Sequence, residues 1–234
     1  MLGASVLPLL LCSQLVGVAL GAFALRRRLG RNWLSAINLR RPALAPCLLA
    51  VLCLPAVMFV GGHCAQFVKH ALGFTEWSQE LIEQSNAQGG LWFTMLVIAV
   101  GAAVSEELFC RGFLGRDLVR RYGVPVGVLF TSLLFALLHA NLPQGVYVFF
   151  LGCLAHLAYL ATRSLWVPIL LHFLNNAGAV LASYLVSMHA QTAPEASEQS
   201  GWVAKTITLV LLLAMAIPSA WGLYRLRDRG AAAA

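Results

Sequence analysis

The sequence predicts an all-α membrane protein, a polytopic bundle of about seven transmembrane helices, and three observations support this fold class. Of the 234 residues, 60% are hydrophobic and only 11% are charged, whereas roughly 25% are charged in a typical soluble domain. Several apolar runs reach the roughly 20 residues that a helix needs to cross a hydrocarbon core about 30 Å thick. Basic residues cluster in alternate connections between these runs, which is typical of membrane proteins.

Seven apolar runs are long enough to form these helices, and each ends at charge, at Pro or Gly, or at a short polar turn. They lie near residues 4–25, 43–61, 91–110, 124–142, 144–161, 165–187 and 203–223. The first run has no basic residue before it and is followed by Arg26, Arg27 and Arg28. We therefore expect a retained helix at this position and not a cleaved signal peptide.

The basic residues predict the orientation of the helices. The arginine-rich connections all fall on one side of the membrane, and they are 26–41, 111–121, Arg163, and the tail with Arg225, Arg227 and Arg229. The connections on the other side carry five glutamates and a single lysine, and they are 62–90 and 188–202, with Glu76, Glu80, Glu83, Glu195, Glu198 and Lys69. Because cytoplasmic loops collect Lys and Arg, we expect the N-terminus outside and the C-terminus in the cytoplasm.

The chain carries a net charge of +7. Because the basic residues lie in the connections on one side of the membrane, this charge indicates membrane insertion and contact with anionic lipids, not nucleic-acid binding. We expect a multi-pass protein of a bacterial-type plasma membrane. No internal repeat divides the chain. Its expected parts are two N-terminal helices with an extracytoplasmic loop (1–90), a core (91–188), and a C-terminal helix with a basic tail (189–234).

Only two acidic residues, Glu106 and Glu107, lie within an apolar run. Ionisable groups at membrane depth are costly, so each is a candidate for function. Glu107 and Arg111 have the i, i+4 spacing that favours an ion pair, with the acid first. Adjacent helix residues point about 100° apart, so Glu106 faces elsewhere and can act as a general base. The alternative is that both glutamates pair with arginines as anchors at the membrane surface.

His139 lies at a depth that matches Glu106. If residues 91–120 and 124–140 form an antiparallel hairpin turning at Tyr122 and Gly123, both side chains lie about 25 Å from the turn. Taking Arg111 as a marker of the cytoplasmic surface places Glu106 about 8 Å beneath that surface. The sequence therefore predicts that Glu106 and His139 meet in a pocket close to the arginine-rich side.

His172 and Asn176 add a second polar face on the following predicted helix. They are four residues apart and share one side of that helix. His172 follows Arg163 by nine residues, about 13 Å of helix, which brings it to a similar depth. Interhelical hydrogen bonding alone would explain either residue taken singly. The combination with Glu106 and His139 favours a shared reaction site.

Three motifs in these helices resemble those of the CAAX prenyl protease and bacteriocin-processing (CPBP, Abi) family of glutamic intramembrane endopeptidases. The motifs are Glu106-Glu107-x-x-x-Arg111, Phe135-x-x-x-His139 and His172-x-x-x-Asn176. The resemblance covers residues 91–188 and implies an endopeptidase. It implies that Glu106 and His139 activate water and that His172 and Asn176 form the oxyanion site. These roles agree with what peptide hydrolysis requires: a base, a proton donor and hydrogen-bond donors to the oxyanion.

No cofactor is expected. A zinc site formed by Glu106, His139 and His172 is the open alternative, because two histidines and a glutamate can bind zinc with one free position. No H-E-x-x-H sequence supports zinc, and asparagine is a poor zinc ligand. We therefore favour metal-free chemistry.

The expected substrates are peptides or membrane proteins, including prenylated C-terminal peptides, cut near the cytoplasmic face. The first alternative is a non-enzymatic membrane protein, such as an immunity or scaffold protein, in which the polar cluster only joins helices. The second is a transporter or proton relay, which would need polar groups across the whole membrane. The oligomeric state is not predicted.

Overall fold

The computed structural model describes residues 6–74, 78–189 and 201–231. Throughout these residues the regular secondary structure is helical, which confirms the predicted polytopic helical bundle. Among the described residues, six helices are long and apolar enough to cross a membrane, and a seventh apolar helix is shorter. The six are Val6–Leu29, Leu44–Leu72, Ser78–Tyr122, Leu142–Thr162, Trp166–Met188 and Lys205–Leu226, and the shorter one is Val124–Leu137.

The helices follow one another with short connections. Ten α-helices and two π-helical segments are described in those residues, in the order α1 Val6–Leu29, α2 Trp33–Ala36, α3 Leu44–Leu72, α4 Ser78–Thr94, π1 Met95–Gly101, α5 Ala102–Glu107, π2 Leu108–Leu114, α6 Gly115–Tyr122, α7 Val124–Leu137, α8 Leu142–Thr162, α9 Trp166–His189 and α10 Gly201–Ala231.

The second and third spans are longer than predicted. Helix α3 continues to Leu72 and ends at Gly73, whose φ of 68° is the left-handed conformation that favours glycine. Helix α4 begins at Ser78, so most of the predicted 62–90 loop is helical. The chain then remains helical to Tyr122, apart from a kink at Gly90. Three glutamates used to predict the orientation lie outside the described residues: Glu76, Glu195 and Glu198.

The fourth span is shorter than predicted. Helix α7 ends at Leu137 instead of near residue 142, because Ala140 has a left-handed backbone with φ of 50° and Asn141 has an extended one. Asn141 caps α8 by accepting a hydrogen bond from the Gln144 amide. The 14 residues of α7 extend about 21 Å, less than the hydrocarbon thickness. Helix α7 alone is therefore too short to cross the apolar layer.

Helix α8 occupies the centre of the bundle and packs against α3, α7, α9 and α10. Its close contacts use small residues, as is usual where membrane helices approach each other. A Cβ atom on Gly152 would lie 3.1 Å from the Ser132 Cβ of α7, and one on Gly61 of α3 would lie 3.1 Å from the Tyr147 ring. Helix α8 thereby joins α7 and α9, two of the helices that carry the predicted site.

The predicted hairpin around Gly123 is present. The Gly123 amide donates to the Val119 carbonyl, and its φ of 82° reverses the chain between α6 and α7. Gly127 then passes so close to α6 that a Cβ atom there would lie 2.7 Å from the Val119 backbone nitrogen. Only glycine fits at this crossing.

We expect Gly127→Ala to destabilise the protein by about 1–3 kcal/mol, because an added methyl group would have to push the Val119 backbone away. Thermal unfolding in detergent measures the effect. The control is Gly62→Ala on α3, where an added Cβ meets no atom within 4 Å and alanine improves helix propensity. Equal changes of the unfolding midpoint in Gly127→Ala and Gly62→Ala would contradict the close approach of α6 and α7 at Gly127.

Candidate active site

The site is built around a buried ion pair between Glu107 and Arg111. The Arg111 Nη1 atom donates to both Glu107 carboxylate oxygens at 2.6 Å, and Nη2 donates to the Gly152 carbonyl at 2.7 Å. The guanidinium carbon lies 5.0 Å from the centroid of the Phe135 ring. Both charged side chains are excluded from the surface, with exposures of 1% and 0%. The i, i+4 spacing anticipates this pair, but not its burial.

The burial of Arg111 removes the landmark used to predict the depth of the site. Arg111 was expected to mark the cytoplasmic surface, with Glu106 about 8 Å below it, but it lies inside the bundle, so this depth stays a prediction. The arginine lies in the core of the bundle because the Glu107 carboxylate, the Gly152 carbonyl and the Phe135 ring compensate its charge. A membrane surface therefore cannot be located from this residue.

His172 of α9 joins the ion pair from the opposite side. Its Nδ1 atom lies 2.9 Å from Glu107 Oε1 and donates to it, since a carboxylate only accepts hydrogen bonds. Its Nε2 atom points the other way and lies 4.0 Å from Glu106 Oε2. Glu107 thus holds the imidazole in place while the free nitrogen faces the second glutamate.

Glu106 has a different environment from its neighbour. Its side chain is 29% exposed, it lines the cavity described below, and its Oε2 atom is buried without a hydrogen bond from the described part of the chain. Arg111 binds Glu107, and Arg116 donates to the Ala36 carbonyl. The described residues therefore do not show the alternative arrangement, in which both glutamates are anchored by arginines.

His139 lies in the turn after α7, and its ring is oriented by a backbone group. Nδ1 donates to the Phe135 carbonyl at 2.9 Å, which leaves Nε2 of the neutral ring as an acceptor. The Phe135 ring packs edge-on against both imidazoles, with centroid distances of 5.1 Å to His139 and 5.7 Å to His172. Phe135 therefore sets the separation of the two histidines.

Asn176 is held by a backbone carbonyl and by two residues that the sequence reasoning missed. Its Nδ2 atom donates to the Ile98 carbonyl at 3.0 Å. The Asn175 Nδ2 atom donates to Asn176 Oδ1 at 3.0 Å, and the Tyr147 hydroxyl donates to Asn175 Oδ1. Asn175 adjoins the motif and was a detectable candidate, whereas no spacing in the sequence links Tyr147 of α8 to α9.

Two π-helical segments flank the glutamates. Segment π1 ends just before α5, and π2 begins at Leu108, directly after Glu107. A change from α to π hydrogen bonding shifts the backbone register by one residue and can free a carbonyl, and such segments often occur at functional sites. The carbonyl of Ile98, within π1, is the one that receives the Asn176 amide.

One cavity of about 800 Å³ contains the predicted residues. Glu106, His139, His172 and Asn176 all line it, and so do the missed residues, Asn175 and Tyr147. The four predicted side chains come from α5, the turn after α7, and α9. The structure thus brings together groups that are 70 positions apart in the sequence, while Glu107 and Arg111 lie behind the cavity wall.

The cavity lies toward the helix ends that are remote from the arginine-rich connections. Most of its other lining residues come from the C-terminal half of α3, the first turns of α4 and α8, and the C-terminal half of α9, among them Phe59, Gln66, Gln79, Gln144 and Ala182. The predicted pocket just beneath the arginine-rich surface is therefore wrong.

No cluster of three or more His, Cys, Asp or Glu side chains that could hold a metal ion occurs in residues 6–74, 78–189 and 201–231. Each cavity histidine has its Nδ1 atom committed to a protein acceptor, so only Nε2 is available. The described donors do not form the zinc site considered as the alternative, and metal independence stays a prediction.

Residues 88–178 match the model of the family described as type II CAAX prenyl endopeptidase Rce1-like. This segment is similar to the Rce1-like family. The match confirms the resemblance seen in the three motifs, all of which lie within it, and at the family level it indicates a CAAX-type intramembrane protease. No curated protein sequence and no solved structure gives a significant match to the chain.

We expect Arg111→Met to destabilise the protein by about 3–5 kcal/mol, because it leaves the Glu107 carboxylate buried without its cation. Arg120→Met is the matched control. Arg120 is 79% exposed, and its ion pair with Asp117, 3.6 Å long at the surface, contributes little to stability. Thermal unfolding in detergent compares the two. Similar midpoints for both variants would show that the buried pair does not stabilise the Rce1-like segment.

Proposed function

We propose that this protein is an intramembrane endopeptidase that hydrolyses peptide bonds with water activated by Glu106 and His139. The observation that supports this most is the convergence of two imidazoles, a carboxylate without a hydrogen bond to Oε2, and an amide on one cavity. Helix association alone does not require Glu106, because its Oε2 atom accepts no hydrogen bond in the described residues.

The proposed reaction begins with water between Glu106 and His139. The Glu106 carboxylate takes one proton from the water, and the His139 Nε2 atom accepts a hydrogen bond from the other O–H. The water oxygen attacks the peptide carbonyl carbon, and the electron pair of the C=O π bond moves to the carbonyl oxygen. The proton on Glu106 then passes to the amide nitrogen, the C–N bond breaks, and a carboxylic acid and an amine are released.

The negative oxygen of the intermediate needs hydrogen-bond donors that are already in place. Asn176 supplies an N–H group, and His172 supplies Nε2–H. Because Nδ1 of His172 already donates to Glu107, Nε2 donates only when the ring is an imidazolium. The carboxylates of Glu107 and Glu106 lie 2.9 and 4.0 Å from the ring nitrogens and balance that charge. Glu107 and Arg111 support the site without contacting the substrate.

The proposed substrates are peptides and membrane proteins whose cleaved segment reaches the cavity from the bilayer or from the adjoining aqueous phase. The family name suggests prenylated C-terminal peptides as one class to be tried. With the predicted orientation of the helices, the cavity faces away from the cytoplasm. With the opposite orientation it faces the cytoplasm, so protease accessibility of the α3–α4 connection would decide the side of cleavage.

We expect Glu106→Gln to lower the rate of peptide hydrolysis by about 10²–10⁴-fold, because the amide cannot take the proton from water. The purified protein in liposomes is incubated with a peptide library that contains prenylated and unprenylated members, and products are identified by mass spectrometry. Glu83→Gln, an exposed glutamate on α4 outside the cavity, is the control. Cleavage that persists in Glu106→Gln would refute this mechanism, and a folded wild-type protein that binds peptides without cleaving them would support the non-enzymatic alternative.

We expect Asn176→Ala to lower kcat by about 10²–10³-fold, because one oxyanion donor is removed. The control is Asn86→Ala, since the Asn86 amide also donates across helices, to the Val180 carbonyl at 3.3 Å, but does not line the cavity. Steady-state kinetics and unfolding midpoints are measured for both. Equal losses of rate in the two variants would mean that Asn176 acts only by joining helices.

A further inference from the structure

A chain of three hydrogen bonds connects three helical segments at the edge of the cavity. It runs from the Tyr147 hydroxyl on α8 to Asn175 and Asn176 on α9, and it ends at the Ile98 carbonyl of π1. Asn175 is 6% exposed, and Tyr147, Asn175 and Asn176 all line the cavity. The proposed mechanism uses only Asn176 of this chain.

The direction of every hydrogen bond in the chain follows from its end at the backbone. The Ile98 carbonyl only accepts, so the amide nitrogen of Asn176 must face it and Oδ1 must face Asn175. Oδ1 requires a donor, which fixes the amide nitrogen of Asn175 on that side and its Oδ1 toward Tyr147. The Tyr147 hydroxyl therefore donates, and reversing the Asn176 amide alone would break its hydrogen bonds to both Ile98 and Asn175.

This constraint matters because Asn176 has one N–H group left. Its Nδ2 carries two hydrogens; one is donated to Ile98, and the other has no partner within residues 6–74, 78–189 and 201–231. A single hydrogen bond would let the amide plane turn about that bond. The second bond, from Asn175, fixes the plane and thus the direction of the remaining N–H.

We propose that Tyr147 and Asn175 are positioning residues for peptide hydrolysis, which hold the Asn176 amide so that its remaining N–H is directed at the oxyanion. This inference rests on the proposed function. An oxyanion donor is effective when its orientation is set before the reaction. Loss of the chain therefore lowers kcat, and it leaves KM unchanged because the oxyanion is absent from the bound substrate.

The test is a double-mutant cycle of Tyr147→Phe and Asn175→Ala, with kcat, KM and unfolding midpoints measured on the full chain in liposomes. Each single variant is expected to lower kcat about tenfold, which is the loss expected for one net hydrogen bond. The double variant is expected to match Asn175→Ala within about twofold, because Tyr147 acts only through Asn175. Tyr159→Phe makes the same change on α8, at a residue outside the cavity, and is expected to retain the wild-type kcat.

The outcomes separate this inference from the proposed function. Glu106→Gln is measured alongside, and if it remains active the proposed function itself fails. If Glu106→Gln is inactive while Tyr147→Phe keeps the wild-type kcat, only the positioning role is overturned. Multiplicative losses in the double variant, or a rise of KM without a change of kcat, also overturn it, because they indicate independent packing or substrate contact. A lower unfolding midpoint with an unchanged kcat gives the chain a structural role only.

Discussion

The burial of one positive charge organises the centre of this protein. Arg111 has no exposed surface. The free-energy cost of burying its charge is offset by the Glu107 carboxylate, the Gly152 carbonyl and the Phe135 ring. These partners come from the same long helix, from α8 and from α7. Since Glu107 also binds His172 of α9, a single network of charges fixes the relative positions of the helices that supply the site.

The two adjacent glutamates have different surroundings in this network, in keeping with the separate roles proposed for them. Glu107 accepts hydrogen bonds from Arg111 and His172, so it cannot exchange a proton without breaking the network. Glu106, one residue earlier, faces the cavity and leaves an oxygen without a hydrogen bond in the described structure. The π segments on both sides of α5 keep the backbone helical while they change which residues face the cavity. One turn of helix therefore serves two purposes.

Much of the fold followed from composition and from the length of apolar runs, which a bilayer constrains strongly. The pairing of Glu107 with Arg111, and the meeting of Glu106 and His139 at one cavity, followed from helical spacing because both relations lie within one hairpin. The burial of Arg111 did not, since it depends on a carbonyl of α8 that no local pattern reveals. The role of Tyr147 was hidden for the same reason, because its partner on α9 is 28 positions away.

The shortness of α7 has a further consequence for the surrounding lipid. Its outer surface is apolar, with Leu129, Phe130, Leu133 and Leu137 exposed, so acyl chains must cover it. A segment of about 21 Å beside full-length spans is a hydrophobic mismatch, which a bilayer accommodates by thinning locally. Headgroups and their hydration are thereby drawn toward the turn at His139. For the proposed peptide substrates, an unfolded stretch of polypeptide, whose backbone amides are too costly to place in undisturbed hydrocarbon, would find there a shorter path from water.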